Sequence, residues 1–181
     1  AFRTAYERTV APATRHPQNG DMLFARAQAE YWLGYVHRRR ADLAAAGLWF
    51  TRYRDTAVHL AAMDPAKAAW QEELGYGYHN LAVLDLDRGK LDPARAGFLA
   101  ELEILARMSA AKPADLTLQF SVANTYSWLG GLAERLLLPG FLQRSPSARN
   151  LSRAVLRTAN LDGMNWVWLF LAAGFRLLDH T

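Results

Sequence analysis

The sequence predicts an all-α chain built from repeated helix pairs, and two observations lead there. Pro17, Pro65 and Pro113 stand 48 residues apart. After each of them, apolar residues recur at the three- and four-residue steps of a helix face, as in Trp70, Leu74, Tyr78 and Leu81, and again in Leu118, Val122, Tyr126 and Leu129. The 48-residue offset also carries Leu33 to Leu81, Leu129 and Leu177, Phe2 to Phe50 and Phe98, and Leu60 to Met108 and Leu156. It links Ala46 to Ala94, Leu43 to Leu91 and Trp70 to Trp166. A fixed period of this kind marks a stacked repeat.

Residues 1–16 read as the tail of a second helix, because Phe2 occupies the Phe50 position. The array therefore starts in mid-repeat, as expected of a piece of a longer protein. First helices are predicted over 18–40, 66–88, 114–136 and 162–179, with a proline suited to the opening turn, where its missing N–H loses no partner. Breaks follow at Ala41-Asp42 and Gly89-Lys90, where Gly89 can take the left-handed cap conformation. Second helices are predicted over 43–63 and 91–111. The units are then about 17–64, 65–112, 113–160 and a partial 161–181, within a single domain 1–181. The third unit departs from the pattern. Leu136-Leu137-Leu138-Pro139-Gly140, with Pro146 beyond it, predicts a bent, shortened or irregular second helix across 137–150 that recovers near 150–159.

Composition narrows the function classes. A 181-residue chain with 51% hydrophobic and 12% aromatic residues can bury a core. With no cysteine it has no disulfide scaffold and no thiolate chemistry. Twenty-one basic against seventeen acidic side chains leave +4, which permits an anionic partner without demanding one. The most apolar stretch, Met164–Ala173, is too short for a membrane span before Gly174 and Arg176 interrupt it. Ala1-Phe2-Arg3-Thr4 is not a secretory signal. The expected location is cytoplasmic, without a membrane partner.

Helix pairs carrying these residues resemble the tetratricopeptide repeat (TPR) family. Leu33-Gly34, Tyr126 and Leu129-Gly130 match its first helix, Ala46 with Phe50 and Ala94 with Phe98 its second, and Pro65 and Pro113 its close. The likeness covers 17–136 and, more loosely, 156–178. The period of 48 exceeds the family's ~34, and the excess equals about four helical turns, so the likeness is to a long-helix variant. The resemblance implies a right-handed α-solenoid of antiparallel helix pairs, a superhelix whose core forms by stacking and whose concave face is lined by first helices. It also implies a protein–protein interaction module, a scaffold or sensor domain of a larger bacterial signalling or effector protein.

No catalytic pattern stands beside that resemblance. His16, His37, His59, His79 and His180 lack metal-ligand spacing, and no Walker loop or Gly-x-Ser-x-Gly elbow occurs. Gly75-Tyr76-Gly77 falls inside a predicted helix, where small residues allow close packing. The prediction is a non-enzyme with no metal and no cofactor. Carried over from the family, the groove residues are Gln28, Tyr31, Tyr35, Arg38 and Arg39 in the first unit, Tyr76, His79, Asn80 and Val83 in the second, and Asn124, Ser127 and Gly131 in the third. Rings and guanidinium groups suit a peptide. The family's carboxylate clamp has Lys and Asn where Tyr31 and Tyr35 stand, so capture of a peptide C-terminus is not expected.

Two rival readings remain. Arg38-Arg39-Arg40, with Arg52 and Arg54, forms a basic patch that a nucleic-acid backbone could use. Cations also favour the C-terminal end of a helix, and Asp85 and Asp87 can neutralise the patch, so a protein or peptide partner is preferred over nucleic acid. Met164–Leu171 is apolar all round. Its Trp166, Trp168 and Phe170 predict burial within the domain, a homodimer contact or a face exposed by truncation.

Overall fold

A true 48-residue repeat should place helix ends at the same phase in every unit. The structure is a computed structural model and describes residues 2–144. Its elements are α1 (Phe2–Arg15), α2 (Gly20–Arg39), α3 (Leu43–Met63), α4 (Ala68–Asp87), α5 (Leu91–Ala111) and α6 (Leu116–Arg144). No strand occurs among the described residues. The starts of α2, α4 and α6 lie 48 residues apart, as do both ends of α3 and α5. Residues 1–126 form one compact unit that holds α1 to α5 and the opening turns of α6; a second unit starts at Ser127.

Local chemistry sets these boundaries. Each first helix starts two residues later than predicted, because its proline belongs to the preceding turn. Asn19 N–H donates to His16 O at 2.9 Å, Lys67 N–H to Asp64 O at 3.2 Å, and Asp115 N–H to Lys112 O at 3.0 Å. Each proline thus fills the second turn position, where its fixed φ is already correct. Asn19 Oδ1 then accepts from Met22 N–H at 3.1 Å, and Asp115 Oδ1 from Leu118 N–H at 3.2 Å. Such caps are worth about 1 kcal/mol each.

Between first and second helices, Ala41 at φ 58° and Gly89 at φ 72° take the left-handed conformation. Asp42 N–H reaches back to His37 O at 3.0 Å and Lys90 N–H to Asp85 O at 2.8 Å, closing both helix ends alike. Gly89 does so without strain, whereas the Ala41 side chain costs about 1 kcal/mol.

The core is built from the small and large residues that the period aligns. Ala46, Phe50, Ala94 and Phe98 are all fully buried. Phe50 of α3 packs so closely on α2 that a Cβ on Gly34 would lie 2.5 Å from its ring. Gly97 of α5 approaches Ala82 of α4, and Gly77 of α4 lies against the Arg54 backbone of α3. Gly75 does not share this role, since nothing lies within 4 Å of a Cβ placed there. Phe2 also differs from its repeat counterparts: it stacks on Trp32 with centroids 5.5 Å apart and stays 40% exposed.

The third unit departs from expectation in another way. α6 continues as helix through Pro139 and Gly140 to Arg144, so no second helix begins at 137. Leu136-Leu137-Leu138 offers neither the left-handed residue nor the polar cap that ends α2 and α4, and a proline removes only one backbone donor. The segment expected to recover near 150–159, and Trp166, Trp168 and Phe170, lie outside the described residues.

Two glycines of the first helices should respond in opposite directions. Gly34→Ala is expected to destabilise the chain by about 1–3 kcal/mol through overpacking against Phe50. Gly75→Ala is expected to stabilise it by about 1 kcal/mol through helix propensity alone. Urea unfolding midpoints of both variants check this pair.

Candidate functional site

α2, α3 and α4 meet around a carboxylate. Glu73 of α4 is 8% exposed; its Oε1 accepts from Gln28 Nε2 of α2 at 2.8 Å and its Oε2 from the Tyr53 hydroxyl of α3 at 2.6 Å. Tyr53 packs in one cluster with Ala13, Leu23, Ala27, Leu60 and Trp70, and partly buried Phe24 and Tyr31 lie against it. Burial pushes the Glu73 carboxyl above its ordinary range, and the bonds from Tyr53 and Gln28 pull it part of the way back. Burial, then the adjacent Glu73 charge, drives the Tyr53 phenol far upward. Both carboxylate oxygens are thus engaged.

One repeat later the corresponding positions leave a cleft of about 250 Å³. Glu72, Gly75, Tyr76 and His79 line it from α4, Glu101 and Leu105 from α5, and Thr117, Leu118, Phe120, Ser121 and Asn124 from α6. Glu101 is only 5% exposed, and its Oε2 lies 2.9 Å from His79 Nδ1. An N–H on that nitrogen donates to the carboxylate. The rings of Tyr76 and Phe120 stand open at 53% and 74% exposure. Burial raises the Tyr76 phenol above its ordinary range, and the charges of Glu72, Glu73 and Glu101 raise it further. Three carboxylates thus act on one hydroxyl, and neither lysine nor arginine lines the cleft among the described residues. No three His, Asp or Glu side chains among the described residues gather closely enough to hold a metal ion.

The residues singled out from the sequence divide into two groups. Tyr76, His79 and Asn124 come together on the cleft. Gln28 is committed to Glu73, and half-buried Tyr31 lies among Trp32, Tyr35, Phe50 and Tyr53 with ring centroids 5.2 to 6.5 Å away. Burial raises the Tyr31 phenol, and the charges of Tyr35, Tyr76 and Glu73 reach it. Tyr35 remains 39% exposed. Arg38 Nε lies 2.6 Å from Asp87 Oδ2, so that aspartate does face the basic run; Arg39 is exposed at the end of α2. Asn80 turns back to its own helix, donating to Tyr76 O at 2.7 Å. Ser127 is exposed and belongs to the second unit.

Glu72, Glu101, Phe120 and Ser121 were not singled out. The period held a signal for them, because Glu101 falls on the ladder of Tyr53 and Ser121 on that of Glu73. An acidic residue in register with a core tyrosine marks a place where the repeat changes its chemistry.

Glu73 generates a pH prediction. Its folded pKa lies above the unfolded value, so its contribution to stability is complete below the ordinary carboxyl range and is lost as pH rises through the folded value. Urea midpoints measured from acid to neutral pH should fall through that window in the unaltered chain and lack this step in Glu73→Gln. No family model, no curated protein and no solved structure matches the chain.

Proposed function

We propose that this chain is a non-catalytic binding module that takes a protein or peptide segment along the face shared by its first helices. The observation that carries this reading is the alignment of α2 with α4. Gln28 bonds to Glu73 and, further along both helices, Arg38 bonds to Asp87, so the two helices run side by side in the same sense. Exposed Tyr35 and Tyr76 belong to these helices, and Phe120 joins Tyr76 on the cleft. Open rings of this kind offer contact area at little entropic cost, and a few such anchors dominate most interfaces.

In this reading the helix pairs are antiparallel and stack into a right-handed solenoid like that of the tetratricopeptide repeat family. The contacts of Gly34 with Phe50 and Glu30 with Thr56 support the pairing, since residue numbers rise along α3 as they fall along α2. The buried Ala46, Phe50, Ala94 and Phe98 support the likeness. Nucleic-acid binding has less support. Arg38, Arg54 and Arg88 each lie within 4.0 Å of an aspartate oxygen, and the cleft carries Glu72 and Glu101. No helix of the described residues is long and apolar enough to cross a membrane.

Selection of a displayed library of random twelve-residue peptides on the full chain tests the proposal. Recovered peptides should lose roughly tenfold or more in affinity on Tyr35→Ala and Tyr76→Ala. They should bind Leu48→Ala normally, because Leu48 is an exposed residue of α3. An empty selection, or binders sensitive to Leu48 and indifferent to both tyrosines, would overturn it.

A further inference from the structure

We infer that the cleft between α4, α5 and the start of α6 receives the cationic head of an arginine or lysine side chain from the bound segment. The inference rests on the reading that the first-helix face takes a protein segment. Its own support comes from comparing the cleft with the packed junction one repeat earlier. Phe24, Tyr31, Tyr53 and Trp70 of that junction stand 48 residues before Glu72, His79, Glu101 and Leu118 of the cleft. Two aromatic side chains of the core cluster and two packed against it are therefore replaced by two carboxylates, an imidazole and a leucine. The helix starts keep their phase, and a cleft opens between the helices.

The charge of the site changes at the same step. In the packed junction the buried Glu73 accepts from two donors on neighbouring helices. In the cleft the position of Glu73 is Ser121, and the acid has moved to the Tyr53 position as Glu101. Among the described residues, His79 Nδ1 is the one hydrogen-bond partner of the Glu101 carboxylate. A carboxylate that lines a cleft and takes one protein donor has room for a further one, preferably charged, because the low local dielectric strengthens the pairing. An apolar occupant would strip water from Glu101 without replacing its hydrogen bonds, and an anion would be repelled by Glu101 and Glu72.

Size and walls narrow the occupant. About 250 Å³ lies below the usual range for a drug-sized ligand, and suits the head and upper stem of one long side chain. The open faces of Tyr76 and Phe120 favour a cation, most of all a planar guanidinium. Oxygens of Ser121 and Asn124 can accept its remaining N–H groups. A segment lying along the first helices would thus carry its basic residue at one register.

The test is the same displayed selection run in parallel on the unaltered chain, Glu101→Gln and Glu72→Gln. Glu101→Gln keeps a carbonyl acceptor for His79 and Glu72 is exposed, so both variants should match the unaltered urea midpoint. The expected result is an arginine or lysine enriched at one fixed position of the pool from the unaltered chain. Those peptides should weaken roughly tenfold on Glu101→Gln and equally when the arginine is exchanged for uncharged citrulline. Binders without a preferred basic position, or a basic preference that persists undiminished on Glu101→Gln, overturn this inference and leave the binding module standing. An empty selection overturns both. N-acetyl-arginine amide, followed by amide resonances of Tyr76, Ser121 and Asn124, supplies the second arm. Saturation by that small cation at concentrations matching the peptides would identify a site for free organic cations and overturn the peptide side chain as its occupant.

Discussion

The Glu73 carboxylate takes hydrogen bonds from two helices other than its own, and the first full repeat closes around it. A helix pair of this kind cannot bury its apolar face alone, so stability depends on how one pair meets the next. Within the first pair, Gly34 admits the Phe50 ring. Between pairs, Tyr53 and Trp70 supply bulk while Glu73 supplies direction. Each hydrogen bond contributes about 0.5–1.5 kcal/mol net, against a typical total near 5–15 kcal/mol. A slipped helix would leave that carboxylate buried without its donors, which makes the junction specific as well as stable.

The second junction keeps the frame and changes the filling. Helix starts and ends repeat at 48 residues through α5, and Ala94 with Phe98 reproduces the burial of Ala46 with Phe50. The positions that hold each pair together are therefore insulated from those where consecutive pairs meet. In the proposed reading this separation lets a repeat acquire a binding site without losing its fold. Aromatic volume is removed, the acid moves to the Tyr53 position as Glu101, and the neighbouring helices keep their starts in phase. Backbone pairing within every helix is untouched, so the frame stays while the site varies.

Local features were legible in the sequence because local rules decide them. The three prolines, the Asn19 and Asp115 caps and the left-handed Gly89 each act within a few residues of themselves. Reading the prolines as first-turn residues rather than turn residues moved the helix starts by only two positions. The run Leu136–Gly140 misled for the opposite reason: a proline is a strong local signal, yet one missing donor does not end a helix that lacks a cap.

The sequence by itself determined the helical class, the period, the breaks between helices and the small-and-large pairs that pack them, all of which follow from backbone preference and spacing. Only the tertiary structure decided that Tyr31 leans into Phe50 and Tyr53, that Gln28 is committed to Glu73, and that Glu72, Glu101 and Phe120 share one cleft. Those outcomes depend on whether the side chains of three helices, far apart in the chain, fill the space between them. Volume and unmet hydrogen bonding are properties of that enclosed space, and no single stretch of sequence carries them.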